Sequence, residues 1–547
     1  MEKHNPIFSL KNFRSFGEDG ADFELAPITV LTGCNSAGKS SLVKSLLLLS
    51  KETGYTTYHG EIGRRTPAHT LPISTQDLAL GRFDKILNVN ASNEVIELSY
   101  HVWSNYLQET VEVTRKYKSH SGDVLNNGEL TLYTIKKIDG TTIYRYLGSS
   151  DKTMMGEPFF DAIQSNYNVF QAALEYSINP VKYLEEGNER LLSESETEML
   201  KEFKEQKKQM AGHSLEDFGH SISEWFESIA NREEKYKASL YELKRLEEKA
   251  ALKEFAKDRI SQVVKDKNDN EEEQNKELYM SLICNEVVYP DFLQDIVYAD
   301  SSSASIKRLY SIEENNKLCN ALRKMHHRKT SDYAANREGI SFTNYAGSFL
   351  NKWIKEKFKL GEKIEVEGTE QGLGMIVFLK KENGERRLLA DEGYGITQLV
   401  SLLLYIDNMI PSEPNNDYDG IGEYMPGYKP RYICVEEPEN HLHPKFQSML
   451  AEMFVEAYQK YNIHFIIETH SEYLIRKLQV MVADKNNTLT SNDVSLNYVE
   501  KDEHGVSHNK QIKIKEDGRL DSSFGEGFYD EADNLTMELI RYKAQLK

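Results

Sequence analysis

The sequence predicts an α/β nucleotide-binding fold built from both ends of the chain and interrupted by a helical insertion. Three observations carry that prediction. A glycine-rich loop near the start of the chain separates a buried-strand pattern from a helix pattern. Two later apolar runs read as buried strands, one ending in paired carboxylates and one in histidine. Between Pro180 and Pro290 there is no proline, and the composition shifts to Glu, Lys, Leu and Gln.

The loop is Gly33-Cys34-Asn35-Ser36-Ala37-Gly38-Lys39-Ser40, followed by Ser41, and it fits G-x-x-x-x-G-K-[ST]. Residues 26–32 form the strand pattern before it, and residues 41–49 form the helix pattern after it. Glycines let such a loop curl so that its N–H groups face phosphate oxygens, and the helix adds the positive end of its dipole. In this pattern Lys39 bridges the β- and γ-phosphates, and the Ser40 hydroxyl ligates Mg²⁺.

The 547 residues carry 87 acidic and 67 basic side chains, a formal charge of −20, so the surface as a whole repels nucleic acid. Any DNA or RNA contact therefore needs a local basic patch, of which Arg323-Lys324-Met325-His326-His327-Arg328-Lys329 is the best example. The four cysteines lie far apart, without metal-ligand spacing, and read as reduced thiols. The N-terminus leads straight into a strand pattern, and no apolar run approaches the ~18–20 residues needed to span a bilayer. A soluble cytoplasmic chain without a membrane partner is expected.

Residues 1–180 read as the first part of the nucleotide-binding head, 181–290 as a helical insert and 291–547 as the second part. A hairpin or meander over residues 7–25 feeds the loop strand, and Phe13 and Phe16 there read as core aromatics or as a platform for an adenine ring. Strand patterns at 95–102, 109–113 and 130–135 predict an adjoining antiparallel sheet. Within the insert, Trp225, Ile229, Tyr236, Leu240, Leu243, Leu246 and Ala250 recur at helical spacing. They suit either a subdomain packed on its own chain or an arm that docks a partner. Residues 349–358 read as an amphipathic helix and 374–379 as a strand.

Three downstream motifs add chemistry. Residues 431–437 form a buried strand ending in Glu436 and Glu437. In P-loop enzymes the first such acid holds the cation shell, and in a subset the second polarises the attacking water. Glu436 is thus a metal residue and Glu437 the general base. The strand 464–468 ends at His470, which can sense the γ-phosphate without transferring a proton. His441 and His443 lack further partners at zinc spacing. Finally, Asp391-Glu392-Gly393-Tyr394-Gly395-Ile396-Thr397-Gln398 reads as a second anion-binding loop ahead of a helix over 399–405. One chain does not easily bring two such loops to one γ-phosphate, whereas a dimer does.

The order of these four motifs resembles the ABC-type ATPases of the group that includes SMC, RecF and the OLD-family ATPases. In pattern it is similar to the stand-alone ATPases of bacterial anti-phage systems, among them those of Septu and retron-associated systems (the PtuA family). The signature segment departs from Leu-Ser-Gly-Gly-Gln, its Asp-x-Gly-x-Gly-x-x-Gln form being similar to the OLD-like branch. Gln76 is the candidate lid-loop glutamine. The resemblance implies an ABC-type head with a coiled-coil-like arm, and ATP with Mg²⁺ as the ligand.

It further implies a homodimer or higher oligomer in which Asp391, Gly393, Gly395 and Gln398 of one chain close over the other's nucleotide. Its partner would be an HNH-type nuclease, or a reverse transcriptase with its DNA/RNA product or other nucleic acid. The chain after His470 is too short for an acidic nuclease domain, so no nuclease activity of its own is expected. A DNA-repair or chromosome-maintenance ATPase that clamps DNA is the rival expectation, and a transporter subunit is disfavoured by the large insert.

Overall fold

The structure is a computed structural model. It describes residues 5–167, 271–326, 348–410 and 430–545, apart from 52–54, 60–61, 76–77, 120–126, 149–156, 295, 300–306, 312–313, 315–317, 370–372, 526–528 and 530. Gln76, the periodic residues from Trp225 to Ala250, and residues 327–329 of the basic run lie outside the described residues.

Strands from the two ends of the chain share one six-stranded sheet, as the mixed α/β reading requires. Its order is Val297–Ala299, Arg431–Glu436, Ile463–Glu468, Ile28–Gly33, Val494–Lys501, Ser507–Ile512. The first five run parallel and the last is antiparallel. A parallel sheet covered on both faces needs nearly continuous apolar strands, and Ile28–Gly33 is buried at every position. The strand that carries the glycine-rich loop is separated from the Glu436 strand by the strand that ends at Glu468.

Side-chain alternation splits this sheet between two cores. Ile28, Val30, Ile433, Val435, Phe465 and Ile467 pack with the helices Tyr394–Met409, Pro444–Tyr461 and Glu472–Ala483. Leu31, Tyr432, Cys434 and Ile466 face the helix Lys39–Lys51 and an eight-stranded antiparallel sheet. That second sheet contains the expected hairpin, Ile7–Lys11 with Ala21–Glu24, and the long strands Ile96–Ser104, Glu109–Ser119 and Gly128–Lys137. Phe13 and Phe16 are fully buried in its core, so they pack rather than offer a stacking surface.

Two helices add detail to the sequence reading. The helix Glu271–Val287, at the end of the expected insert, belongs to the packed body: Tyr279, Met280, Ile283, Cys284 and Val287 are fully buried. The Tyr100 hydroxyl lies 2.8 Å from the main-chain carbonyls of both Val287 and Val288 and shares its one proton between them, which pins the end of that helix to the antiparallel sheet. The helix expected over 349–358 starts at Ser348 as an α-helix but continues as a π-helical turn, Trp353–Lys357. Fully buried Trp353 sits at the change. Among the described residues, no helix is long and apolar enough to cross a membrane.

Candidate nucleotide and cation site

The glycine-rich loop has the backbone that its composition allows. Gly33 has φ 131° and Gly38 φ 106°, values that disfavour any side chain. A Cβ on Gly33 would stand 2.0 Å from the carbonyl oxygen of Val499, its register partner on the next strand. A Cβ on Gly38 would meet the hydroxyls of Ser15 and Ser507 at 2.5 and 2.9 Å. The far edge of the sheet closes on the loop, Ser507 Oγ donating to the Ala37 carbonyl at 2.5 Å. Asn35 and Ser36 are exposed at the tip, and the Cys34 thiol is exposed beside them.

Lys39 opens the following helix and is buried. Its Nζ donates to the carbonyls of Gly33 at 3.1 Å and Cys34 at 2.9 Å, curling the side chain over the loop. Burial lowers its pKa, against the field of Glu468 and Glu437. Ser40, the next residue, donates from Oγ to Glu468 Oε1 at 3.1 Å, across 428 residues of chain.

Glu468 is therefore part of the site, a role the sequence reading did not give it. Glu436 and Glu468 are direct partners on adjacent parallel strands. Alternation places both on the face that carries Cys434, Ile466 and the helix Lys39–Lys51. Burial raises the Glu468 pKa, and Glu436 adds to the rise. Arg14, also unassigned from sequence, lies in the field of both carboxylates, which partly offsets the lowering of its own pKa by burial.

Glu437 follows in the left-handed region, φ 46°, so the chain turns sharply after the strand. Its N–H donates to the Glu468 carbonyl at 2.7 Å, and its Oε2 accepts from Asn440 Nδ2 at 2.6 Å. Glu439 was also missed from sequence. It is buried, and its Oε1 accepts from the main-chain N–H of His470 at 2.6 Å. The His470 ring itself is exposed, and partial desolvation lowers its pKa, with Lys39 adding and Glu437 opposing. His443 caps the helix Pro444–Tyr461 by accepting from Lys445 N at 3.3 Å, a structural use of that imidazole.

The second loop differs from expectation. The helix begins at Tyr394, with Gly393 as its cap, rather than at residue 399. Gly395, Thr397 and Gln398 thus stand inside the first two turns, and tertiary contact explains why glycine is helical there. A Cβ on Gly395 would lie 2.7 Å from the His441 carbonyl oxygen, so the helix needs glycine to approach. Tyr394 packs edge-on against the His441 ring, centroids 4.6 Å apart. Gln398 Nε2 donates to the Glu437 carbonyl at 3.0 Å, while Asp391 pairs with Arg308 at the surface.

These positions suit a phosphate chain with a divalent cation. Glu468 Oε2 is buried without a hydrogen-bond partner, an atom that a bound cation would satisfy. Among the described residues no three His, Cys, Asp or Glu side chains converge tightly enough to hold a metal alone. That matches Mg²⁺, which is typically held by one or two carboxylates plus phosphate oxygens and water.

The family comparison agrees in kind. The family model for the AAA ATPase domain matches residues 7–475. A second model, described as a protein of unknown function (DUF3696), matches residues 489–539. No curated protein matches the chain. Among solved structures, the chain is similar to the SMC head domain from Thermotoga maritima at 12% identity and TM-score 0.33, covering 94% of this chain and 100% of that one. The Smc head domain with a coiled coil and joint from Pyrococcus yayanosii matches at 14% identity and TM-score 0.35, over 93% and 97%. A Smc head bound to the C-winged helix domain of ScpA matches at 10% identity and TM-score 0.35, again over 93% and 97%. With the family model spanning most of its length and the glycine-rich loop in place, the chain belongs to the AAA ATPase domain family.

Proposed function

We propose that this chain is an ABC-type regulatory ATPase that binds ATP with Mg²⁺, and that two copies close over the nucleotide. The observation that carries the reading is the meeting of Lys39, Ser40, Glu436, Glu437 and Glu468 at the ends of three neighbouring strands and one helix N-terminus. The loop N–H groups and Lys39 bind the β- and γ-phosphates. Ser40 and Glu436 would hold the cation, which would neutralise phosphate charge. Glu437 orients and deprotonates the attacking water, and His470 senses the γ-phosphate. A second chain contributes Asp391, Gly393, Gly395 and Gln398.

The four motifs in their order further support a place in a bacterial anti-phage complex, where nucleotide state restrains a partner nuclease of HNH type. A DNA-clamp reading is equally compatible with the family match and stands as the alternative. In the described part of the basic run, Arg323 is turned inward onto Asn320 Oδ1 at 2.7 Å and the Glu314 carbonyl, leaving Lys324 exposed.

The test is nucleotide binding and phosphate release by the purified chain, beside co-purification from its native operon. Binding lost in Lys39→Ala and a nuclease recovered with the wild type are the expected results. Unchanged affinity in Lys39→Ala would remove the nucleotide site. Salt-sensitive duplex binding without a nuclease partner would favour the DNA clamp.

A further inference from the structure

We propose that Glu468 is a second carboxylate ligand of the cation, completing with Ser40 and Glu436 a more acidic metal site than one hydroxyl and one acid provide. The inference rests on the nucleotide-site reading above and adds a residue to it. The motif reading assigns the cation to Ser40 and Glu436, yet the strand order puts another strand between them. That strand ends at Glu468, directly beside Glu436 in register. The Ser40 hydroxyl reaches Glu468, not Glu436, at 3.1 Å.

Glu468 is 7% exposed, and its Oε2 has no hydrogen-bond partner. A carboxylate with one oxygen on the metal-binding serine and the other buried and unsatisfied is costly to keep unless something cationic completes it. Lys39 adds positive field but no bond to that oxygen, its ammonium donating to two loop carbonyls. Arg14 adds positive field near both carboxylates without a hydrogen bond to Glu468 Oε2. A hard divalent ion between Ser40 Oγ, Glu436 and Glu468 would satisfy that oxygen. Water and phosphate oxygens would fill its remaining positions, the usual composition of a Mg²⁺ site.

The site should then depend on the cation more strongly than on the nucleotide. A buried acid and a half-buried one beside a triphosphate repel it, so tight nucleotide binding requires the ion to be present.

The experiment measures free Mn²⁺ by electron paramagnetic resonance during titration of the full chain with a non-hydrolysable ATP analogue bound. Nucleotide affinity is measured separately in excess EDTA. For Glu468→Gln, and separately for Glu436→Gln, we expect Mn²⁺ affinity to fall about tenfold or more. Metal-free nucleotide affinity should hold or rise, because a repelling charge has gone. If Glu468→Gln keeps its Mn²⁺ affinity within about twofold while Glu436→Gln loses it, the proposal is overturned and the nucleotide site stands. If neither variant loses Mn²⁺, or the wild type binds no nucleotide, the underlying reading fails as well. Should Glu468→Gln not fold, Glu468→Asp, which withdraws the carboxylate by one methylene and keeps its charge, carries the same expectation.

Discussion

Gln398 and Glu437 are joined by a hydrogen bond from the glutamine side chain to the glutamate main-chain carbonyl, 3.0 Å long. The early turns of the helix Tyr394–Met409 are thereby latched to the turn that carries the proposed base. Because the latch is made within one chain, a substitution here disturbs the Glu437 turn of its own chain as well as any contact to a second copy. Gln398→Ala should lower turnover about tenfold while changing nucleotide affinity little, since the phosphate-binding loop is untouched. Gly395→Ala should be harsher, because its Cβ would strike the His441 carbonyl at 2.7 Å. Phosphate-release kinetics beside equilibrium binding separates the two terms. Mixing Gly395→Ala with Lys39→Ala chains then tests the dimer: regained activity shows that one chain's first turn serves the other's nucleotide.

Glu437 sits in left-handed backbone with its carboxylate held by Asn440 at 2.6 Å. Glu437→Gln keeps the shape and removes the base. Hydrolysis should fall by about a hundredfold or more, with nucleotide still bound. Light scattering should then show a dimer that persists in ATP and Mg²⁺. Normal turnover in this variant would remove Glu437 as the base, and an unaltered monomer would remove the clasp.

How much of this was legible in the sequence follows from how local each feature is. The phosphate-binding loop is a local object: fixed glycine spacing, an apolar strand before it and an apolar helix after it, all within residues 26–49. The carboxylate pair Glu436 and Glu437 was legible for the same reason. Glu468 was not given its role, because that role depends on which strand lies beside which, and sequence does not state strand order. Glu439 was passed over because its work is to accept hydrogen bonds from another strand end, the main-chain N–H of His470 and the side chain of Thr469. The early start of the helix at Tyr394 was missed because glycine reads locally as loop, whereas here it permits the close approach to His441.

Glu439 offers a test of that last class of residue. Its buried Oε1 accepts from His470 N at 2.6 Å, which sets where the strand end presents the histidine. Glu439→Gln retains an acceptor and should fold and turn over close to the wild type near pH 7. Glu439→Ala leaves a donor unsatisfied and should cost about 1–3 kcal/mol of stability. It should also slow turnover more than it weakens nucleotide binding. Denaturant melts and single-turnover kinetics of the two variants decide the matter, since equal damage in both would show that the carboxylate charge, not the hydrogen bond, is what counts.

His464 predicts a pH dependence that lies away from the cation site. Its Nε2 donates to Asn462 Oδ1 at 2.8 Å, so Nδ1 is the unprotonated nitrogen, and that atom is buried with no partner. The ring also packs edge-on against Tyr432 and Tyr458, at 4.9 and 5.5 Å between centroids. A second proton would place an unsatisfied charge among aromatic rings. Burial accordingly lowers the pKa from 6.5 to about 4, against a weaker opposing pull from Asp493.

With the folded value below the unfolded one, the unfolded chain takes up the proton first as pH falls. Stability from this residue is complete above about pH 6.5 and is lost as pH falls towards 4, a contribution of about 3 kcal/mol. Glu439, raised by burial, has the opposite sign and loses stability as pH rises. The histidine must therefore be read from a difference. His464→Gln can keep the bond to Asn462 and has nothing to titrate. Denaturation of wild type and variant at steps from pH 7 to pH 4.5 should show the wild type losing stability faster on the acid side. Parallel curves would mean that His464 takes up its proton as easily in the folded chain as in the unfolded one.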